Sequence, residues 1–216
     1  MDLNQLIASL AIYVLPVLFA ITLHEAAHGY VARHFGDMTA YAQGRISLNP
    51  LRHVELLGTI VVPLAILLLS GGRFLFGWAK PVPVNYSALR RPKHDMAFVA
   101  LAGPAANLAM ALGWCVVLKA AYLLPANGLT IPLRLMAEAG VTVNVLFMAL
   151  NLIPILPLDG GRIVASLLPP TLGRQYARLE RWGLPILLVL LATNGLAFVL
   201  GPVAGATDAV IRALVF

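Results

Sequence analysis

From Leu6 to Leu23 the chain carries no charged residue, and at the end of that run it reads His24-Glu25-Ala26-Ala27-His28. An apolar run of this length reads as a membrane-spanning helix. Lipid leaves such a segment little choice, because its backbone groups must all be satisfied internally. On a helix, residues four apart leave the same face about one turn from each other. His24 and His28 can therefore offer ring nitrogens to one metal ion, with Glu25 beside them placed to polarise a water. Ionisable groups at such depth cost about 2.5–3.5 kcal/mol each on insertion scales, so their presence marks function.

Composition extends this reading to the whole chain. Of 216 residues, 60% are hydrophobic and 11% charged, and mean hydropathy is +0.87. A soluble domain carries about 25% charge. The expected fold is an all-α membrane protein, a polytopic transmembrane helix bundle forming a single unit over residues 1–216. The net charge of +6 reads as basic loops on one side of a membrane, not as a nucleic-acid surface. The single cysteine, Cys115, excludes an internal disulfide and falls in an apolar run. No basic segment precedes the first apolar stretch, so no cleavable signal peptide is expected.

Spans are expected at about 3–33, with a kink at Pro16, and at 96–124, 131–156 and 183–203. Between the first two, Tyr41 to Pro50 and Trp78 to Val84 read as extended segments bounded by Gly and Pro, the first as a small membrane-associated β-hairpin or strand. Twelve of the fifteen basic residues fall in three loops, around Arg33 to Arg52, Arg73 to Lys93 and Arg162 to Arg181. If those loops are cytoplasmic, the N-terminus is external and the motif lies near the cytoplasmic end of its helix. The apolar stretch 54–72 has basic residues on both sides and Pro63 at its centre. It reads as re-entrant or broken at Pro63, a form tolerated where protein or a wet cavity buries it, with a full span as the alternative.

A catalytic zinc held by two histidines needs a third protein ligand. His34 has the spacing of a local third histidine, but the helix-breaking glycine that such a site needs is Val31 here. A continuing helix turns His34 about 600° past His28, off the metal face. Asp37 meets the same objection less strongly. Asp159 follows Asn151-Leu152-Ile153-Pro154-Ile155-Leu156-Pro157-Leu158, a helix end that two prolines loosen. By itself, Asp159-Gly160 also suits an ordinary turn or a helix cap.

Three motifs in order, the H-E-x-x-H of residues 24–28, Ala102-Gly103-Pro104-Ala105-Ala106-Asn107, and the N-x-x-P-x-x-P-L-D-G of residues 151–160, resemble the site-2 protease family of intramembrane zinc metalloproteases. The resemblance covers roughly Leu3 to Arg162 and is to the short form without a PDZ or CBS domain. It implies one Zn2+ per chain held by His24, His28 and Asp159, with Glu25 as catalytic base. It implies that Asn151 holds the substrate backbone or the developing oxyanion. It also implies that Gly44, Arg45, Ile46 and Ser47 pair with extended substrate as a membrane-associated β-loop. Asn107 either borders the substrate or permits close helix packing. The expected substrates are transmembrane segments of other membrane proteins in the lipid bilayer of a bacterial cell membrane, cut toward the cytoplasmic side. A metal-handling membrane protein and a proteolytically silent membrane scaffold are the competing readings, and Glu25 beside an intact ligand set argues against both. Asn144 reads as a packing amide, His53 and His94 as interfacial, Trp78 and Trp182 as part of the aromatic belt, and Lys80 as solvated.

Overall fold

The computed structural model describes residues 3–62, 65 and 79–215. Helix α1 (Leu3–His34) runs unbroken through Pro16, and a one-turn helix α2 (Thr39–Ala42) follows. Irregular backbone then leads through a tight turn at Pro50–Arg52 and a wide helical turn at Leu56–Val61. Residues 79–85 form an unclassified strap that ends in a turn at Tyr86–Ala88. Six helices complete the chain: α3 (Pro92–Tyr122), α4 (Thr130–Asn151), α5 (Asp159–Leu167), α6 (Pro170–Ala177), α7 (Glu180–Ala192) and α8 (Gly195–Val215). Among the described residues, four helices are long and apolar enough to cross a membrane: Ile7–His34, Pro92–Tyr122, Thr130–Asn151 and Gly195–Ala213.

Helix α3 is central and packs against α1, α4, α5 and α8. Many of its contacts are made by small residues, beside the buried Val99 and Leu118. Ala20 on α1, Ala100, Ala111 and Ala121 on α3, and Ala137 and Ala139 on α4 are all buried. Lipid supplies no hydrophobic drive between helices, so close backbone approach at small residues takes its place. Gly140 shows this most directly, since a Cβ there would collide with the Trp114 indole. Many large apolar side chains turn outward: Val116 is 70% and Phe198 86% exposed, as a lipid-facing surface requires. Arg134 closes the α3–α4 hairpin by donating to the Ala121 and Leu124 carbonyls at the end of α3, which have no helical partner of their own.

Several boundaries differ from expectation. Helix α3 starts at Pro92, because the Asp95 carboxylate accepts the Arg91 N–H at 2.8 Å and proline suits a first helical position. Helix α4 stops at Asn151, where Pro154 and Pro157 forbid continuation. The expected stretch 183–203 is two helices, broken at Thr193 and Asn194, with Asn194 at φ 61°.

No strand is found among the described residues, so the hairpin expected at residues 41–50 is a correction. That segment opens with α2 and a left-handed Gly44 (φ 61°). Its polar groups are spent internally: Arg52 donates to the Gly44 carbonyl, His53 to the Ser47 carbonyl, and the Asn49 N–H to the Ser47 hydroxyl. His53 is buried, not interfacial. Residues 63, 64 and 66–72 of the expected re-entrant stretch, and Trp78, lie outside the described residues. Gly140→Val should destabilise the protein by ~1–3 kcal/mol through overpacking against Trp114. Thermal unfolding in detergent checks this.

Candidate metal centre

The sequence places His24 and His28 on the same face of α1, and α3 comes close enough to hold both rings. Each imidazole uses Nδ1 for the protein. His28 Nδ1 lies 2.7 Å from the Val99 carbonyl, which can only accept, so Nδ1 carries the proton. His24 Nδ1 lies 2.7 Å from Asn107 Oδ1. The Asn107 amide is oriented because its Nδ2 donates to the Ala20 carbonyl and to Asn144 Oδ1. Asn144 is oriented in turn by donating to the Gly140 carbonyl at 2.8 Å. Both Nε2 atoms are therefore bare lone pairs in the neutral imidazoles.

Those lone pairs converge. His24 Nε2 and His28 Nε2 are 3.1 Å apart, and Asp159 Oδ2 stands 3.3 and 3.4 Å from them. Asp159 Oδ2 is buried without a hydrogen-bond partner. Three acceptors facing one another repel unless a cation lies among them. Ligand atoms about 2.0–2.1 Å from one tetrahedral zinc stand about 3.3 Å apart, so the observed spacing fits that ion. His24, His28 and Asp159 form a group that can hold a metal; His34 is exposed and points elsewhere, edge-on to Phe35. Asp37 is buried but serves the end of α1, accepting the Thr39 and Asn85 N–H groups.

Two close approaches bring the parts together. Gly103 faces both imidazoles, and a Cβ there would collide with them. Gly160 and Gly161 let the first turn of α5 sit on the backbone of Leu152 to Leu156, where a Cβ on Gly160 would collide with the Leu152 carbonyl. Asp159 thus begins α5 directly against the histidine face. Glu25 is half-buried on the next position of α1. Its Oε2 accepts the Val82 N–H of the strap at 2.7 Å, and Oε1 has no protein partner among the described residues.

A model of "Peptidase family M50" matches residues 126–193, which include Asp159. The "Putative zinc metalloprotease YwhC" of Bacillus subtilis is 36% identical over 196 residues, 89% of this chain and 85% of the relative. The chain belongs to peptidase family M50. Two proteins named "Putative zinc metalloprotease Rip2" are each 32% identical to this M50 chain. The match covers 83% of the chain and 66% of the relative in Mycolicibacterium smegmatis, and 80% and 63% in Mycobacterium tuberculosis. No solved structure matches this M50 chain.

Sequence reasoning and structure part over the remaining residues. Asn107 is fully buried and holds the His24 ring through Oδ1. Asn144 is more than a packing amide, since it orients Asn107. Asn151 does not join the cluster; its Nδ2 donates to the Phe147 carbonyl one turn back. Gly44 and Ser47 are tied up internally, the Ile46 side chain covers Gly29 of α1, and the Arg45 guanidinium is taken by backbone carbonyls. The Val99 carbonyl and the Val82 N–H were not legible as site groups, because a backbone group has no sequence signature. Tyr86, at the end of the strap, stands beside the site without joining the ligand cluster. It lies under Arg162 at 5.1 Å, and burial first, then the nearby carboxylates, push its phenol up to about 12 against the opposing pull of Arg162. Asn107→Leu should weaken zinc binding about ten- to a hundred-fold by freeing the His24 ring, whereas His34→Ala should leave it unchanged. Competition with a chelator, read by atomic spectroscopy, measures both.

Proposed function

We propose that this M50 chain is an intramembrane zinc endopeptidase that cuts transmembrane segments of other membrane proteins. The observation that carries this reading is the convergence of two imidazole lone pairs and one orphaned carboxylate oxygen, with a second carboxylate, Glu25, beside them. His24, His28 and Asp159 are the ligands in this reading. A bound zinc supplies Lewis acidity and brings the pKa of water to about 7.

The chain's own groups do the rest. Glu25 takes the proton of the attacking water on its free Oε1 and returns it to the leaving amine. The Val82 N–H on Oε2 keeps that carboxylate in one orientation. Asn107 and the Val99 carbonyl hold the imidazoles in the tautomer that leaves Nε2 unprotonated. Asn151, half-buried at the end of α4, keeps Oδ1 and one N–H for the backbone of a bound peptide. A peptide bond inside a substrate helix is shielded by its own hydrogen bonds, so the substrate must unwind before attack.

Placement of the site in a bacterial cell membrane, open toward the cytoplasm, rests on the basic loops. Ser87 is exposed in the turn after the strap. In a Cys115→Ala background, Ser87→Cys should react with a membrane-impermeant thiol reagent from the cytoplasmic side. Labelling from outside alone would reverse this orientation.

Glu25→Gln decides the activity. The variant should keep its zinc, yet lose cleavage of single-span substrates by about two to four orders of magnitude. Turnover above about a tenth of the parent would remove Glu25 from the mechanism. A metal-handling protein would instead show zinc exchange unaffected by the variant and no cleavage by the parent.

A further inference from the structure

The strap that reaches Glu25 belongs to no helix or sheet, so side groups from elsewhere must fix it. Its Lys80 N–H donates to the His53 carbonyl at 2.9 Å, and its Asn85 N–H to Asp37 Oδ2 at 2.7 Å. Between these points the one side-chain donor to the strap among the described residues is the Arg45 guanidinium, and Val82 is also buried against α1. Arg45 donates Nη1 to the Arg52 carbonyl at 2.7 Å and Nη2 to the Lys80 and Pro81 carbonyls at 3.1 and 3.2 Å. One planar fork thus joins two separate stretches of backbone, one of which carries the Val82 N–H that Glu25 Oε2 accepts at 2.7 Å.

We propose that Arg45 is a positioning residue for the reaction, acting on Glu25 through the strap. The guanidinium sets where Lys80 and Pro81 lie, and so where the next residue's N–H points. That N–H occupies Oε2 and turns Oε1 toward the water to be deprotonated. The inference rests on Glu25 being the base. Arginine suits the task because its donors leave a rigid plane in fixed directions. A lysine in its place keeps the charge but concentrates its donors on one nitrogen and lacks the planar fork that spans the two segments. A displacement of the base by ~1 Å costs about a hundredfold in rate.

The test compares the parent with Arg45→Lys, Val82→Pro and the double variant, all full-length in detergent with a single-span substrate. Val82 stands between Pro81 and Pro83, and proline there removes the N–H together with the buried valine side chain. Arg45→Lys should lower kcat about ten- to a hundredfold, with KM within about twofold and zinc content equal to the parent. Amide exchange across residues 79–85 should quicken. The double variant should be no slower than Val82→Pro alone, because both changes break one connection.

An unchanged kcat in Arg45→Lys overturns the proposal. So does a loss confined to KM, a loss of zinc, or full additivity in the double variant. If the parent itself cleaves nothing, the protease reading fails separately, and amide exchange still judges the strap. Exchange of residues 79–85 in Arg45→Lys at the parent rate then overturns the role of Arg45. Where Val82→Pro does not fold, kcat, zinc content and exchange in Arg45→Lys alone decide.

Discussion

Three lone pairs crowded into the crossing of α1, α3 and α5 dominate this protein. His24 Nε2, His28 Nε2 and Asp159 Oδ2 lie within 3.4 Å of one another, and Asp159 Oδ2 is buried without a hydrogen-bond partner. Everything around them makes sense as a means of keeping them there. Gly103 yields the space, the Val99 carbonyl and Asn107 hold the rings by their far nitrogens, and the Gly160-Gly161 pair brings the carboxylate in. The helix bundle supplies the rigid frame, with small residues at its crossings and large ones turned to lipid.

This arrangement also explains why one amide relay runs so deep. Asn144 holds Asn107, and Asn107 holds His24. Gly140 anchors Asn144 through its carbonyl and admits Trp114 by having no side chain. A single turn of α4 therefore serves both core packing and the orientation of the His24 ring. Buried amides in a bilayer are tolerated when all their groups are paired, and here each polar atom of Asn107 has a named partner.

The parts legible in the sequence were those written in side-chain spacing. Four-residue spacing put His24 and His28 together, and the proline-loosened Asn151 to Asp159 stretch gave the third group once its resemblance to a known family was seen. The helices around Leu6, Ala111 and Val141 followed from apolar length. The misreadings have physical causes. Gly44 to Ser47 looked like a strand because Gly and Pro bound it, yet the bonds that Arg52 and His53 make to its carbonyls, and the Asn49 N–H to the Ser47 hydroxyl, depend on how the loop folds back on itself and are invisible to local pattern. Asn107 looked equally suited to substrate or packing, since nothing in a sequence says which atom an amide faces. The break at Thr193 and Asn194 was hidden because the residues on both sides are apolar.

The strap's two prolines have a consequence for the disordered chain as much as for the folded one. Each ring restricts its own backbone and that of the residue before it, so Lys80 and Val82 explore few conformations even when the strap is detached. A proline in a compatible position is worth about 0.4–1 kcal/mol through the entropy that the unfolded chain no longer has to lose. A single backbone donor, carried by irregular backbone and covered by no sheet, can thereby be presented to Glu25 with little ordering left to do. The stiffness that a strand would obtain from its neighbours is here built into the covalent chain.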